Sequence, residues 1–385
     1  MSNNNYPLLA SLAALLVAST AYAQNPEPPA PVVEESDVAT LPAISPHWVV
    51  VTSQFQAPAS RILDGDSGKQ LASLHTAELS NVAIDPNGRY FYVAESIWTK
   101  GNRGTRQDML TIYDSKALKL LTEVTLPGRL LTGFRRQNLD ISADGKFAYI
   151  YDMSPASAVF VVDLVKRKHV QTVEIPGCAL VFAAPQGRVA SLCGDGSIAT
   201  ISFDAKMKAK VDQSAPFFSA DEDPIFDNSV VDRKTGKAIL LSYSGLIYET
   251  TIDGRNQVSA PWSLQEAAGM PRGETKPLAV SWLPGGRQMI AYQPATNRAF
   301  VLMHLGEFWS QKAPATELWV VDLAARKVVK RHRLEEEAEY VEITQDADPV
   351  LFLGGEGKIH VLDPDTLEEQ RAIRTRGGLL AIAGR

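Results

Sequence analysis

Much is missing from this chain of 385 residues, and each absence removes a class of protein. No uninterrupted apolar run reaches the roughly 18 residues of a membrane-spanning helix. Lys and Arg together number 38 against 44 Asp and Glu, a net charge of −6, so there is no basic excess with which to hold a phosphate backbone. That excludes a nucleic-acid binder. Cysteine occurs twice, with neither C-x-x-C nor H-x-x-x-H spacing, and the six histidines (His47, His75, His169, His304, His332, His360) are scattered. No metal site is expected. G-x-S-x-G, G-x-x-x-x-G-K-[ST] and G-x-G-x-x-G are all absent, which removes the serine hydrolases and the common nucleotide folds. Carboxylates are too numerous to single out an acid–base pair. No catalytic residue is therefore expected in this chain. Helical patterns of about 10–15 residues do not alternate with strands, so a βαβ fold is excluded as well.

What is present is globular in composition, 45% apolar and 21% charged. Residues 1–23 combine the apolar stretch Leu8 to Thr20 with an A-x-A site, Ala21-Tyr22-Ala23. They read as a signal peptide cleaved near Ala23, although the segment before Leu8 carries no Lys or Arg; an anchored N-terminus is the alternative. Residues 24–43, with Pro26, Pro28, Pro29, Pro31, Glu34 and Glu35, form a Pro/Glu-rich extension unable to fold alone. The folded domain is expected over 44–385.

Within it an apolar residue followed by Asp recurs seven times: Leu63-Asp64, Tyr113-Asp114, Val162-Asp163, Phe203-Asp204, Ile252-Asp253, Val321-Asp322 and Leu362-Asp363. The spacings are 50, 49, 41, 49, 69 and 41 residues. A β-prone run precedes most of these Asp residues, for example Met109–Tyr113, and Asp can bond the backbone two residues on and end the strand. A second turn lies upstream in most units, as at Asp85-Pro-Asn-Gly88 and Lys234-Thr-Gly236. Two hairpins per unit of about 50 residues make one four-stranded antiparallel blade, and seven units predict an all-β, seven-bladed β-propeller. The first unit lacks an innermost strand, and Leu379–Ala383 has no partner in its own unit. The C-terminal strand is therefore expected to close the ring.

Cys178 and Cys193 lie at the ends of two strand-like runs joined by Pro185-Gln186-Gly187. A hairpin there sets them side by side, which predicts a disulfide over two buried thiols. In the long interval, Ser263-Leu-Gln-Glu266 is a capping box for a single helical turn ending at Gly269, and Leu305–Ala313 reads as a long loop. The run Glu335–Glu337 reads as a solvated loop. Lys206, Lys208 and Lys210 read as an exposed strand edge protected by charge.

Five segments resemble the large (heavy) subunit of the quinoprotein amine dehydrogenases, the methylamine and aromatic amine enzymes. They are Gly104-Thr-Arg-Gln-Asp108 before Leu110–Asp114; Ser154-Pro-Ala-Ser157 before Val161–Asp163; Gly177-Cys178 with Leu192-Cys-Gly-Asp-Gly-Ser197; Phe218 with Asp221–Phe226 and Pro261-Trp-Ser263; and Leu283–Gly286 with Val301–His304, Lys312 and Leu318–Asp322. The resemblance implies a periplasmic enzyme of two large and two small subunits. Its cofactor, tryptophan tryptophylquinone, is carried by the small subunit, so the six Trp of this chain serve packing. A primary amine is oxidised to aldehyde and ammonia, and electrons pass to a blue copper protein, amicyanin or azurin. By the same resemblance Phe55 walls the substrate channel, and the pieces Asp223–Phe226, Pro261–Ser263 and Cys193–Gly196 lean toward aromatic or arylalkyl amines. A propeller that only binds, with no redox partner, is the alternative, since fold does not fix function.

Overall fold

The computed structural model describes residues 40–52, 59–101, 103–131, 133, 135–255, 257–355, 357–376 and 378–384. The expected signal peptide and all but the last four residues of the extension lie outside this set, as does Phe55.

The described strands fall into seven antiparallel sheets, which are the seven blades of a propeller. From the innermost strand outward, blade 2 is Asn81–Ile84, Tyr90–Trp98, Arg106–Asp114 and Leu120–Thr125. Blade 3 is Leu139–Ile141, Phe147–Asp152, Ala158–Asp163 and Lys168–Glu174; blade 4 is Cys178–Ala183, Val189–Cys193, Ile198–Phe203 and Ala209–Gln213. Blade 5 is Val230–Val231, Lys237–Leu241, Leu246–Thr251 and Trp262–Ser263; blade 7 is Tyr340–Ile343, Leu351–Gly355, Lys358–Leu362 and Glu369–Arg374. Blade 6 has a two-part inner strand, Val280–Pro284 and Ile290–Gln293, both paired with Arg298–Glu307, followed by Ala315–Asp322 and Lys327–Ala338.

Blade 1 is completed from the far end of the chain. Leu380–Ile382 pairs with Val49–Val51, inside Ala59–Asp64 and Gln70–His75. Each innermost strand touches that of the next blade, and the cycle closes where Tyr340–Ile343 meets Leu380–Ile382. The ring closure read from the unpartnered C-terminal run is what the structure shows.

The core lies between blades rather than within one. Tyr92, Leu110 and Ile112 of blade 2 pack on Ile141, Ile150 and Phe160 of blade 3, and Val49 and Leu63 of blade 1 pack on Phe352 and Val361 of blade 7. A middle strand is therefore covered on both faces, and all six residues of Ala158–Asp163 are buried. Outermost strands such as Lys168–Glu174 are largely exposed apart from single residues like Val173. Repeating units that bury their faces only against neighbours need this closure.

All seven repeated Asp residues end the third strand of a blade or follow it by one or two residues, and cap the turn that comes next. Their Oδ1 atoms accept from the amides of Asp66 (3.2 Å), Ala117 (2.7 Å), Lys166 (2.8 Å), Lys206 (2.8 Å), Arg255 (2.9 Å), Ala325 (2.9 Å) and Thr366 (2.7 Å). In five turns the fourth residue after the Asp has positive φ: Gly68, Leu118, Arg167, Arg326 and Leu367. Capping by the Asp offsets a conformation that only glycine adopts freely.

Cys178 and Cys193 face each other across the first hairpin of blade 4 and are joined by a disulfide. Helix α1, Leu264–Ala267, starts at Ser263, whose side chain accepts from the Glu266 amide. Two local readings are corrected. Leu305–Glu307 continues a strand, so the blade 6 loop begins only at Phe308. Glu335–Glu337 lies on the outer strand of blade 6, because Glu336 turns inward to pair with Lys358 of blade 7.

Candidate functional site: the loop face of the propeller

One end of the propeller carries the tight turns between first and second and between third and fourth strands. The other carries the loops between second and third strands and the connectors between blades; this is the loop face. Parts of all five resemblance segments meet there, although the runs ending at Asp114, Asp163 and Asp322 reach the opposite end. Those parts supply the second-to-third-strand loops of blades 2, 3, 4 and 6 and the connectors into blades 4 and 5. The large apolar side chains left exposed concentrate there too. Of twelve among the described residues, seven are at this end: Ile97, Trp98, Met153, Leu278, Val280, Leu305 and Trp309. At the opposite end, Val165 lies in a turn and Leu120 opens the strand that leaves one.

Two middle hairpins stand taller than the rest, Tyr90–Trp98 with Arg106–Asp114 in blade 2 and Arg298–Glu307 with Ala315–Asp322 in blade 6. Arg106 fixes the first. Its Nε is 2.8 Å from Asp108 Oδ2, and its Nη2 donates to Asp108 Oδ1 (2.6 Å), Ser96 Oγ (2.8 Å) and the Leu130 carbonyl (2.7 Å). The same guanidinium lies against the Trp98 ring, 6.0 Å from its centroid. The Arg and Asp of the first resemblance segment thus lock the hairpin to the connector between blades 2 and 3.

That connector crosses the axis. Its short turn Arg136–Asn138 is tied to blade 2 by Asn81 Nδ2 donating to the Arg135 carbonyl (2.7 Å). It is tied to the blade 5 connector by Arg135 Nε to Asp227 Oδ2 (2.6 Å) and by the Arg136 amide to Asn228 Oδ1 (2.9 Å), and to Ser229 by Gln137 Nε2 donating to its carbonyl (2.9 Å). The Arg136 guanidinium pairs with Glu342 of blade 7. Gln288 of blade 6 donates to the same Glu342 carboxylate (2.9 Å), and its Oε1 accepts from the Leu380 amide (2.9 Å). A second axial pair joins Arg233 to Asp140. Burial draws the Arg136 guanidinium below its ordinary value, against the opposing pull of Glu342. A charged plug therefore lies on the axis. Sequence reading missed it: Arg136 and Glu342 are 206 positions apart and no pattern links them.

Beside the plug is a chain of aromatic rings. Phe226 and Tyr243 are 4.5 Å apart, Tyr243 and Trp309 are 6.0 Å apart edge-on, and Trp309 and Phe308 are 4.8 Å apart. His304 is buried nearby with Nε2 2.7 Å from Ser310 Oγ. This is not a nucleophile–base pair with an orienting acid, because His304 Nδ1 has no hydrogen-bond partner among the described residues. Of the six Trp, Trp48 and Trp319 are buried. Trp282 and Trp319 are 6.0 Å apart, both rings lie against the Arg331 guanidinium, and Trp319 Nε1 donates to Glu317 (2.7 Å).

Among the described residues no group of three metal-ligating side chains is brought together. Phe55 lies outside the described residues; the strands that flank it, ending at Val51 and beginning at Ala59, meet at the loop face.

Solved structures that resemble this one include a functionally unknown protein from Desulfotomaculum acetoxidans and a dihydro-heme d1 dehydrogenase, NirN. The first has a TM-score of 0.62 at 12% identity, covering 88% of this chain and 99% of that one. The second has 0.56 at 16%, covering 89% and 78%. At such identities they share the fold alone. Sequence relatives are more telling. Methylamine dehydrogenase heavy chains from Methylobacillus flagellatus and Methylorubrum extorquens are 28% and 25% identical to it, covering 82% and 86% of this chain and 76% and 79% of theirs. The family model for the methylamine dehydrogenase heavy chain matches residues 42–381. That match spans every blade, and the chain belongs to the methylamine dehydrogenase heavy chain family.

Proposed function

We propose that this chain is the large subunit of a periplasmic amine dehydrogenase with two large and two small subunits, and that the small subunit sits on the loop face. The observation that carries this reading is the gathering of seven exposed apolar side chains at the end where the family segments meet. When bound in the small subunit, tryptophan tryptophylquinone supplies the electron sink for oxidation of a primary amine to aldehyde and ammonia. This chain's own tryptophans do not fit that group. Trp282 and Trp319, which pack together, are held by Arg331 and Glu317, and Trp319 is fully buried.

The large subunit's part is then to seat the small subunit, exclude water and shape the amine's route. Phe55 is assigned to the wall of that route. Arylalkyl amines are the favoured substrates on the strength of Asp223–Phe226, Pro261–Ser263 and Cys193–Gly196; the relatives' names favour methylamine instead. A blue copper protein, amicyanin or azurin, is the proposed electron acceptor. Co-purification from periplasm tests the assembly: the reading expects a Cys-rich small subunit with quinone absorbance, and a chain that purifies alone contradicts it.

A further inference from the structure

We infer that Trp309 is the anchor residue by which this chain grips its small subunit, and that His304 and Ser310 are positioning residues that hold it ready. The inference rests on the assembly proposed above. Trp309 has φ +74°, in the left-handed region that a large side chain rarely adopts. It is also 57% exposed, so burial does not explain why the conformation is kept. Strain of this kind persists where the surroundings over-determine it, and it gathers at binding sites.

The surroundings do over-determine it. Ser310 Oγ donates to the Glu307 carbonyl (2.5 Å), which leaves His304 Nε2 as the donor to the same hydroxyl at 2.7 Å. The Ser310 amide also reaches the Glu307 carbonyl (3.2 Å), and the Ala313 amide reaches the Ser310 carbonyl (2.8 Å). Two glycines make room for this latch. A Cβ on Gly285 would collide with His304 Nδ1, and one on Gly306 would stand 2.7 Å from Ser310 Oγ. The Trp309 ring rests edge-on against Tyr243 and Phe308, so it projects in one fixed pose. An aromatic ring ordered before binding loses little freedom on binding, and tryptophan is enriched among residues that dominate interface energetics. The exposed Leu305 on the same hairpin and Val280 beside it continue the apolar rim, on the face already assigned to the small subunit.

The test is reassembly of the full-length chain with its separated small subunit, alongside the thermal midpoint of the chain alone. Trp309→Gly removes the ring and relieves the φ strain; Trp309→Ala removes the ring only. Both are expected to weaken assembly at least tenfold, with the Gly variant melting no lower than wild type. Ser310→Ala should weaken assembly severalfold, and because it also takes the acceptor from buried His304 Nε2 it should lower the midpoint modestly. Wild-type affinity in both Trp309 variants overturns the inference, as does a loss of affinity that merely follows a lowered midpoint in the Gly variant. If the wild-type chain itself takes up no small subunit, the proposed function fails and this inference with it.

Discussion

Arg136 and Glu342, far apart in sequence, form an ion pair on the propeller axis, joining the connector after blade 2 to the innermost strand of blade 7. Their side chains are 12% and 2% exposed, so neither charge has water to fall back on. Removing one partner strands the other, whereas removing both with apolar residues of similar size does not. Arg136→Met or Glu342→Leu alone should cost about 3–5 kcal/mol, and the double variant should recover most of it. Chemical denaturation of the three variants checks this.

The ring seam carries a pH-dependent clasp. His47 Nδ1 is 2.6 Å from Asp66 Oδ1, and Nε2 is 2.8 Å from the Asp348 carbonyl and 3.1 Å from Asp346 Oδ2. Both nitrogens face acceptors, so the imidazolium is the form that satisfies them. Burial alone would lower the His47 pKa, but the bonds to Asp66 and Asp348 outweigh it and the net shift is upward. A raised folded pKa gives stability that is complete below the unfolded value of about 6.5 and is lost as pH rises through the folded one. The thermal midpoint should therefore fall as the pH rises above about 6.5 in wild type, and His47→Gln should flatten that fall.

Closure by the C-terminal strand is open to truncation. Deleting residues 379–385 removes Leu379, Leu380 and Ile382 from the core and bares the edge of Val49–Val51. Three aliphatic side chains of this kind contribute on the order of 5 kcal/mol. The truncated chain should aggregate or melt well below wild type.

The Cys178–Cys193 bridge closes a loop of 15 residues. Restricting the unfolded chain over that length is worth about 3 kcal/mol. Reduction, or a Cys178→Ser and Cys193→Ser double variant, should lower the denaturation free energy by that order without altering the fold.

The propeller was legible because its turns repeat a local device. An Asp that caps the turn after each third strand is written in the sequence seven times, and Ser263 with Glu266 marks a helix start in the same local way. Residues that depend on other blades were not legible. Glu336 belongs to an acidic run that looks solvated until Lys358 of the next blade is placed beside it. Arg136 shows no sign of its partner. Trp309 was inside a loop singled out from its length, but the His304–Ser310 latch that fixes it depends on Gly285, which the break in the two-part inner strand of blade 6 brings near.

If Phe55 walls the amine's route, its ring sets the width of an apolar passage, and such passages discriminate by about 1–3 kcal/mol per methylene-sized change. Phe55→Ala in the assembled enzyme should change the ratio of kcat/KM for arylalkyl over short alkyl amines by roughly tenfold. A lowered thermal midpoint with an unchanged ratio returns Phe55 to an ordinary packing role.

The central claim is that this chain supports amine oxidation only as a partner to a quinone-bearing subunit. The most direct measurement is amine-dependent reduction of a dye acceptor by the purified chain alone and by the chain reassembled with its small subunit. The account expects no turnover from the chain alone and turnover from the reassembled complex. Turnover by the isolated chain, or none by a complex that shows quinone absorbance, would contradict it.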